Sequence, residues 1–191
     1  MDSLQVEELL KKCGAIQEGH FLLTSGLHSA RYVEKFRVLE RPEYTEPLCK
    51  EIADRFRADR VSTVVGPVTG GIILSYEVAR QLGVRGIFTE RENEGMALRR
   101  GFTVIPGERV LVVEDIVTTG KSVFEVLKAL RAAQAEVVGV GLLVDRSVGT
   151  VDFGARKESL IRLEIPAYTK EQCPLCAQGS TPVKPGSRKV S

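Results

Sequence analysis

The chain has only two histidines and four cysteines in 191 residues, and neither type falls into a hydrolase pattern. There is no HExxH, no GxSxG and no catalytic Cys/His pairing, which leaves hydrolytic chemistry nothing to rest on. No apolar run approaches the ~18 residues of a membrane span. The N-terminal MDSLQVEELLKK lacks the charged-then-apolar layout of a secretion signal, so a cytoplasmic protein is expected. A net charge of +2 with 27% charged residues gives no large field of one sign, and neither nucleic acid nor a membrane surface is expected as a partner. No internal repeat is present. Hydrophobic content of 43% is ordinary for a soluble globular domain.

Four cysteines are too few for a disulfide scaffold in a chain this long. Cys13 and Cys49 fall in helical patterns and read as small core residues. Cys173 and Cys176 form a single CPLC, and a structural zinc wants four ligands where one CxxC supplies two. Three readings stay open for that pair: zinc, a redox or disulfide couple, and a tail motif without a site.

What is present is concentrated in residues 110–122, VLVVEDIVTTGKS. Val110, Leu111, Val112 and Val113 read as a strand buried on both faces. Glu114 and Asp115 follow where that strand is expected to end. A turn with Thr118, Thr119, Gly120, Lys121 and Ser122 leads into a helical pattern. Backbone N–H groups and hydroxyls at a helix N-terminus suit a phosphate, and the carboxylates suit ribose hydroxyls or a metal that travels with a diphosphate. A Walker P-loop would need glycine five positions before Gly120. Asp115 stands there and would repel the phosphate, so that motif is excluded.

Around this stretch the chain reads as α/β. Asp2 or Ser3 caps a first helix carrying Leu4, Leu9, Leu10 and Cys13, which Gly14 stops. Residues 19–38 are irregular with strand-like pieces. Pro42 opens a helix with Leu48, Ile52 and Phe56 at four-residue spacing. Strand 61–65 then leads through Gly70 and Gly71 into a helix ending near Leu82 and Gly83. Strand 85–89, a charged stretch 90–101, strand 102–105 and the signature strand 109–113 follow. A helix with Val123, Leu127 and Leu130 comes next, then strand 137–144. Such alternation implies parallel pairing with a ligand site at the carboxyl ends of the strands. From residue 173 on, Pro, Gly, Ser and Lys dominate, as in a loosely ordered extension.

With strand, acidic pair, Gly-Thr turn and helix in this order, residues 110–122 resemble the phosphoribosyl diphosphate (PRPP) signature of type I phosphoribosyltransferases. Residues 64–72, VVGPVTGGI, lie where that family places its diphosphate loop, which would make Thr69, Gly70 and Gly71 diphosphate contacts. Gly19, Phe21, Leu23, Ser25, Gly26 and Ser29 match the hood motif G-x-F-x-L-x-S-G-x-x-S of orotate phosphoribosyltransferases. Asp145-Arg146 at a strand end resembles the pair that supplies that family's arginine to orotate, a planar guanidinium meeting a planar carboxylate.

The resemblance covers roughly residues 15–150. It implies a type I phosphoribosyltransferase fold, a central mostly parallel sheet flanked by helices with a small N-terminal hood. The domain would span 1–172, the hood largely 14–40, and an extension 173–191. It implies transfer of phosphoribosyl from PRPP to orotate, with Glu114, Asp115, Arg91 and Arg99 catalytic. PRPP would be held by residues 114–122, including Ile116 and Val117, together with Thr69, Gly70, Gly71 and Arg91. Orotate would meet Thr118, Arg146, Phe21 and Ser25. Mg2+ is expected through PRPP, with no direct protein ligand, and a homodimer is expected. A phosphoribosyltransferase for another nucleobase and a PRPP-binding regulatory protein are the alternatives.

The chain departs from the family pattern at two points. Thr24 stands where a lysine usually precedes the Ser-Gly of the hood. Residues 89–102, usually a mobile loop with lysines and a histidine, offer only Arg91, Arg99 and Arg100 among Glu90, Glu92 and Glu94. Arginine neutralises a diphosphate but cannot give up a proton. His20 and His28 lie in the hood and read as structural.

Overall fold

The alternation of buried strands and amphipathic helices builds a six-stranded sheet with helices on both faces. The computed structural model describes residues 1–93 and 95–185. In chain order its sheet strands are β3 (Thr63–Pro67), β4 (Arg85–Glu92), β5 (Gly95–Leu98), β6 (Arg109–Val117), β7 (Glu136–Asp145) and β8 (Lys157–Arg162). They lie in the order β5-β4-β3-β6-β7-β8. All neighbours pair parallel except β4 and β5. Separate from this sheet, β1 (Ile16–Leu22) and β2 (His28–Val33) form an antiparallel hood.

Alternate side chains of the central strands enter different cores. Val64, Leu111 and Val113 join one with α3 (Pro42–Phe56) and α4 (Gly70–Leu82). Val65, Val110 and Val112 join the other with α5 (Lys121–Ala132). A strand covered on both faces needs apolar residues at every position, which is why no alternation is visible in its sequence. The stripe Leu48, Ile52 and Phe56 is wholly buried. Its close approach to β7 requires glycine, since a Cβ at Gly139 would lie 2.4 Å from the Phe56 ring. Asp2 caps α1 (Ser3–Lys12) through a reciprocal capping box with Gln5, satisfying two exposed helix-end donors.

Strand order places the ligand site. From β3 the chain moves outward to β4, then returns across β3 to β6. The carboxyl ends of β3 and β6 therefore flank a reversal of winding direction, where open α/β sheets form a crevice. Both glycine-containing turns noted in the sequence open there.

Several elements differ from expectation. Strand β6 continues through Glu114 and Asp115 to Val117, so the acidic pair lies inside the strand. Residues 90–101 are largely a hairpin between β4 and β5, and Glu94 lies outside the described residues. Residues 102–105 form no strand. There Phe102 stacks edge-on against Phe88 at 5.1 Å and Val104 is buried, so apolar contact rather than a ladder holds them. Strand β8 was not anticipated. Residues 173–185, though mostly exposed, are tied to the hood rather than loose. They include a single helical turn, α6 (Pro174–Ala177), and Val183 bridges to Phe21 of the hood. Positions 186–191 of the expected extension lie outside the described residues.

Candidate active site

Because side chains alternate along β6, neighbouring residues face two adjoining hollows. Asp115 and Ile116 line a cavity of about 410 Å³ together with Thr24, Tyr32, Lys35, Arg146 and Lys184. Glu114 and Ile116 line a narrow cleft closed by the turn Thr118, Thr119, Gly120, Lys121 and Ser122. Ile116 is common to both, so the acidic pair stands between a cavity of ring size and an anion-binding turn.

The turn is built to leave donors free. Gly120 has φ +77 and precedes α5 with no side-chain cap, so most of the first-turn N–H groups await an acceptor. Lys121 N–H meets Thr119 Oγ1 at 3.4 Å, and Phe124 N–H opens the helical ladder on the Gly120 carbonyl at 2.9 Å. A Cβ at Gly120 would come within 2.9 Å of the Phe153 ring. On the facing turn, a Cβ at Gly70 would lie 1.7 Å from Asp115 Oδ2. Absence of a side chain at Gly70 is thus what lets α4 start against the carboxylate.

Glu114 and Asp115 are 8% and 2% exposed. Burial, reinforced by the neighbouring Asp115 carboxylate, pushes Glu114 up to about 8. Burial also raises Asp115, while Lys35 opposes the rise. Lys35 Nζ lies 2.8 Å from Asp115 Oδ2. The ammonium thus faces the buried carboxylate directly and offsets part of its burial cost. Arg146 is half-buried, its Nε has no partner among the described residues, and desolvation holds its guanidinium below the usual range. Asp145 does not neutralise it, being paired with Lys157 at 2.9 Å and bonded by Ser147. A cation with buried, unpaired donors in a cavity wall calls for an anionic ligand.

The family model for the phosphoribosyl transferase domain matches residues 45–155. The orotate phosphoribosyltransferase of Pelotomaculum thermopropionicum is 56% identical over 97% of this chain and 98% of its own length. The chain belongs to the orotate phosphoribosyltransferase family. A crystal structure of the Aeropyrum pernix orotate phosphoribosyltransferase, 29% identical, matches with a TM-score of 0.68 over 83% of this chain and 93% of that one. The adenine phosphoribosyltransferase of Rhodothermus marinus also matches, at 0.64 and 19% identity over 84% and 99%. The fold alone therefore does not choose the base.

Of the residues singled out in the sequence, the structure gathers Asp115, Ile116 and Arg146 around the cavity. It gathers Glu114 and residues 116–122, Val117 among them, around the turn, where Thr118 lines the cleft and not the larger cavity. Gly70 abuts Asp115; Thr69 and Gly71 flank it at the start of α4. Phe21 and Ser25 do not line the cavity. Phe21 packs on Tyr32 at 5.8 Å, and Ser25 is exposed in the hood turn. The hairpin arginines are paired within the chain: Arg91 with Glu125 at 2.7 Å, Arg99 with Glu92 at 3.7 Å, Arg100 with Glu90 at 2.8 Å.

Sequence reasoning missed Tyr32, Lys35 and Lys184. The substitution of Thr24 for the family's hood lysine was the available signal. Thr24, Lys35 and Lys184 share one cavity, so two lysines from other segments stand where that charge is missing.

Proposed function

We infer that this protein transfers the 5-phosphoribosyl group of PRPP to orotate, forming orotidine 5'-phosphate and diphosphate. The observation that carries the choice of base is Arg146, a half-buried guanidinium with an unpartnered nitrogen in the wall of the cavity that also holds Asp115. Orotate brings a carboxylate to it; uracil and the purines do not.

In this reading the 5-phosphate lies in the turn of residues 118–122, held by N–H groups and hydroxyls at the positive end of α5. The ribose then spans the acidic pair, with its hydroxyls donating to Glu114 and Asp115. Orotate occupies the neighbouring cavity, its carboxylate on Arg146, with Lys35 and Lys184 adding positive charge to the same walls. The ring nitrogen bonds to the anomeric carbon as the carbon–oxygen bond to diphosphate breaks, and its N–H proton passes to the departing diphosphate or to solvent. As the C–O bond breaks, positive charge develops on the sugar, and the two carboxylates lie beside it. Preorganised charge of this kind supplies a large share of rate enhancement. Arg91 and Arg99 exchange their internal glutamate partners for the leaving diphosphate.

Magnesium accompanies PRPP in this reading. The oxygen acceptors of Glu114 and Asp115 would suit the waters of a hydrated cation that arrives on PRPP, with no direct protein ligand. Bound with PRPP, it would supply neutralising charge to the diphosphate. The protein works as a cytoplasmic homodimer, with the β4–β5 hairpin of one subunit closing on the other's site; among the described residues no helix is long and apolar enough to cross a membrane. The test is to assay purified protein with PRPP and magnesium against a panel of bases. Orotate is expected as the preferred acceptor; preference for a purine would overturn the reading.

A further inference from the structure

The CPLC motif is not alone in the fold. Antiparallel pairing of β1 and β2 places His20 and His28 on adjoining strands, and residues 168–183 run back along this hood on either side. His28 exchanges backbone hydrogen bonds with Tyr168, and Val183 bonds to His20 and Leu22. This return brings the thiols of Cys173 and Cys176 onto the two imidazoles. His20 Nε2 lies 2.9 Å from His28 Nδ1 and 3.4 Å from Cys173 Sγ. Cys176 Sγ lies 3.2 Å from His28 Nδ1 and 3.7 Å from His20 Nε2. All four atoms fall within 4.8 Å of one another, three of the residues being buried and Cys176 partly so.

A tetrahedral zinc with about 2.3 Å to sulfur and about 2.0–2.1 Å to nitrogen sets its ligand atoms roughly 3.3–3.8 Å apart. Two of the observed separations, 3.4 and 3.7 Å, fall in that range, and the two His28 contacts, 2.9 and 3.2 Å, need to open by a few tenths of an ångström to admit the ion. A hydrogen-bond network is the competing account, but thiols are weak donors and acceptors. They give no reason for two sulfurs and two ring nitrogens to converge on one point. Ser180 Oγ lies 3.1 Å from His20 Nδ1, the outer partner that orients a ligating imidazole.

We propose that His20, His28, Cys173 and Cys176 form a structural zinc site that fastens the C-terminal segment to the hood. Four protein ligands leave no open position, so the site is structural rather than catalytic. It joins His20 to residues about 150 positions away, a long closure in which metal binding adds directly to folding stability. It also fixes the segment that carries Lys184 to the base cavity. The CxxC reading from sequence lacked two ligands because both lie on the hood, far off in the chain.

The test uses the full chain, purified reduced from zinc-supplemented cells and passed over a weak chelating resin. Elemental analysis should find about one zinc per chain. Replacement by cobalt should give the visible bands of a tetrahedral ion and a thiolate charge-transfer band. Stripping the metal should lower Tm by about 5 °C or more, restored by zinc. Cys176→Ser and His28→Gln should each lose most of the bound zinc at fixed chelator, while Cys176→His, which keeps a ligand, retains more than Cys176→Ser. Wild-type protein with less than about a tenth of an equivalent and no cobalt spectrum on titration would overturn the site, as would a Cys173–Cys176 disulfide in its place. Zinc content unchanged in Cys176→Ser and His28→Gln would overturn these ligands.

Discussion

Replacing Glu114 with Gln should stabilise the protein while removing most of its activity. Glu114 is buried beside a second carboxylate, and its folded-state value is about 8 against 4.5 for the free group. Between those limits the folded state holds a proton that the unfolded chain releases. Unfolding therefore becomes easier as pH rises through this window. By pH 7 the penalty is on the order of 1–3 kcal/mol once the favourable charge of Lys35 is allowed for. Glutamine keeps the shape and retains an acceptor for the Asp115 N–H, which Glu114 Oε1 now accepts at 3.0 Å. It carries no charge to bury. For a chain of this size that gain corresponds to a rise of about 2–10 °C in Tm at pH 7–8, shrinking toward pH 5. Turnover should fall about 10²-fold, because an amide cannot give up a proton and so cannot add a second negative charge beside the developing positive sugar as Glu114 can on ionising. Thermal unfolding from pH 5 to 8, with turnover measured on the same samples, decides it. A lower Tm at pH 8, or turnover within about threefold of wild type, would refute the reasoning.

Gly70→Ala places a Cβ 1.7 Å from Asp115 Oδ2, so either the carboxylate or α4 must move; we expect about 1–3 kcal/mol of destabilisation by denaturant titration and turnover lowered more than about tenfold. Lys184→Ala should raise the KM for orotate about three- to tenfold with little change in kcat, an effect that fades at high salt because this lysine is exposed. Arg91→Ala should lower turnover rather than weaken orotate binding, and mixing it with Asp115→Asn protein should restore activity through hybrid dimers. Mixtures no more active than the two parents after confirmed subunit exchange would assign the hairpin to its own subunit.

The parts of this fold legible in sequence are those set by local pattern. The unbroken valines of β6, the four-residue stripe of α3 and the Gly-Thr turn before α5 each carry a periodicity or a turn chemistry that does not depend on distant residues. The parts that were not legible depend on contacts across the chain. Residues 102–105 have strand composition yet pack through Phe88 and Val104 without a partner strand. The hairpin arginines read as available for a diphosphate, whereas Glu125, far from them in sequence, holds Arg91. Residues 173–185 look disordered by composition and are ordered by the hood they pair with. Lys184 is the clearest case in the site, since it completes a cavity whose other walls come from residues 24–36, 115–116 and 146. Nothing local to it signals that role.

The central claim is that Arg146 selects the base by its carboxylate. The most direct measurement is kcat/KM for orotate and for uracil in wild-type protein and in Arg146→Gln. Wild type should favour orotate by about 30- to 1000-fold, the equivalent of about 2–4 kcal/mol for leaving a buried guanidinium unpaired. In Arg146→Gln that preference should collapse chiefly through loss of orotate turnover. Equal use of orotate and uracil by wild type, or a preference that survives the substitution intact, would contradict the account.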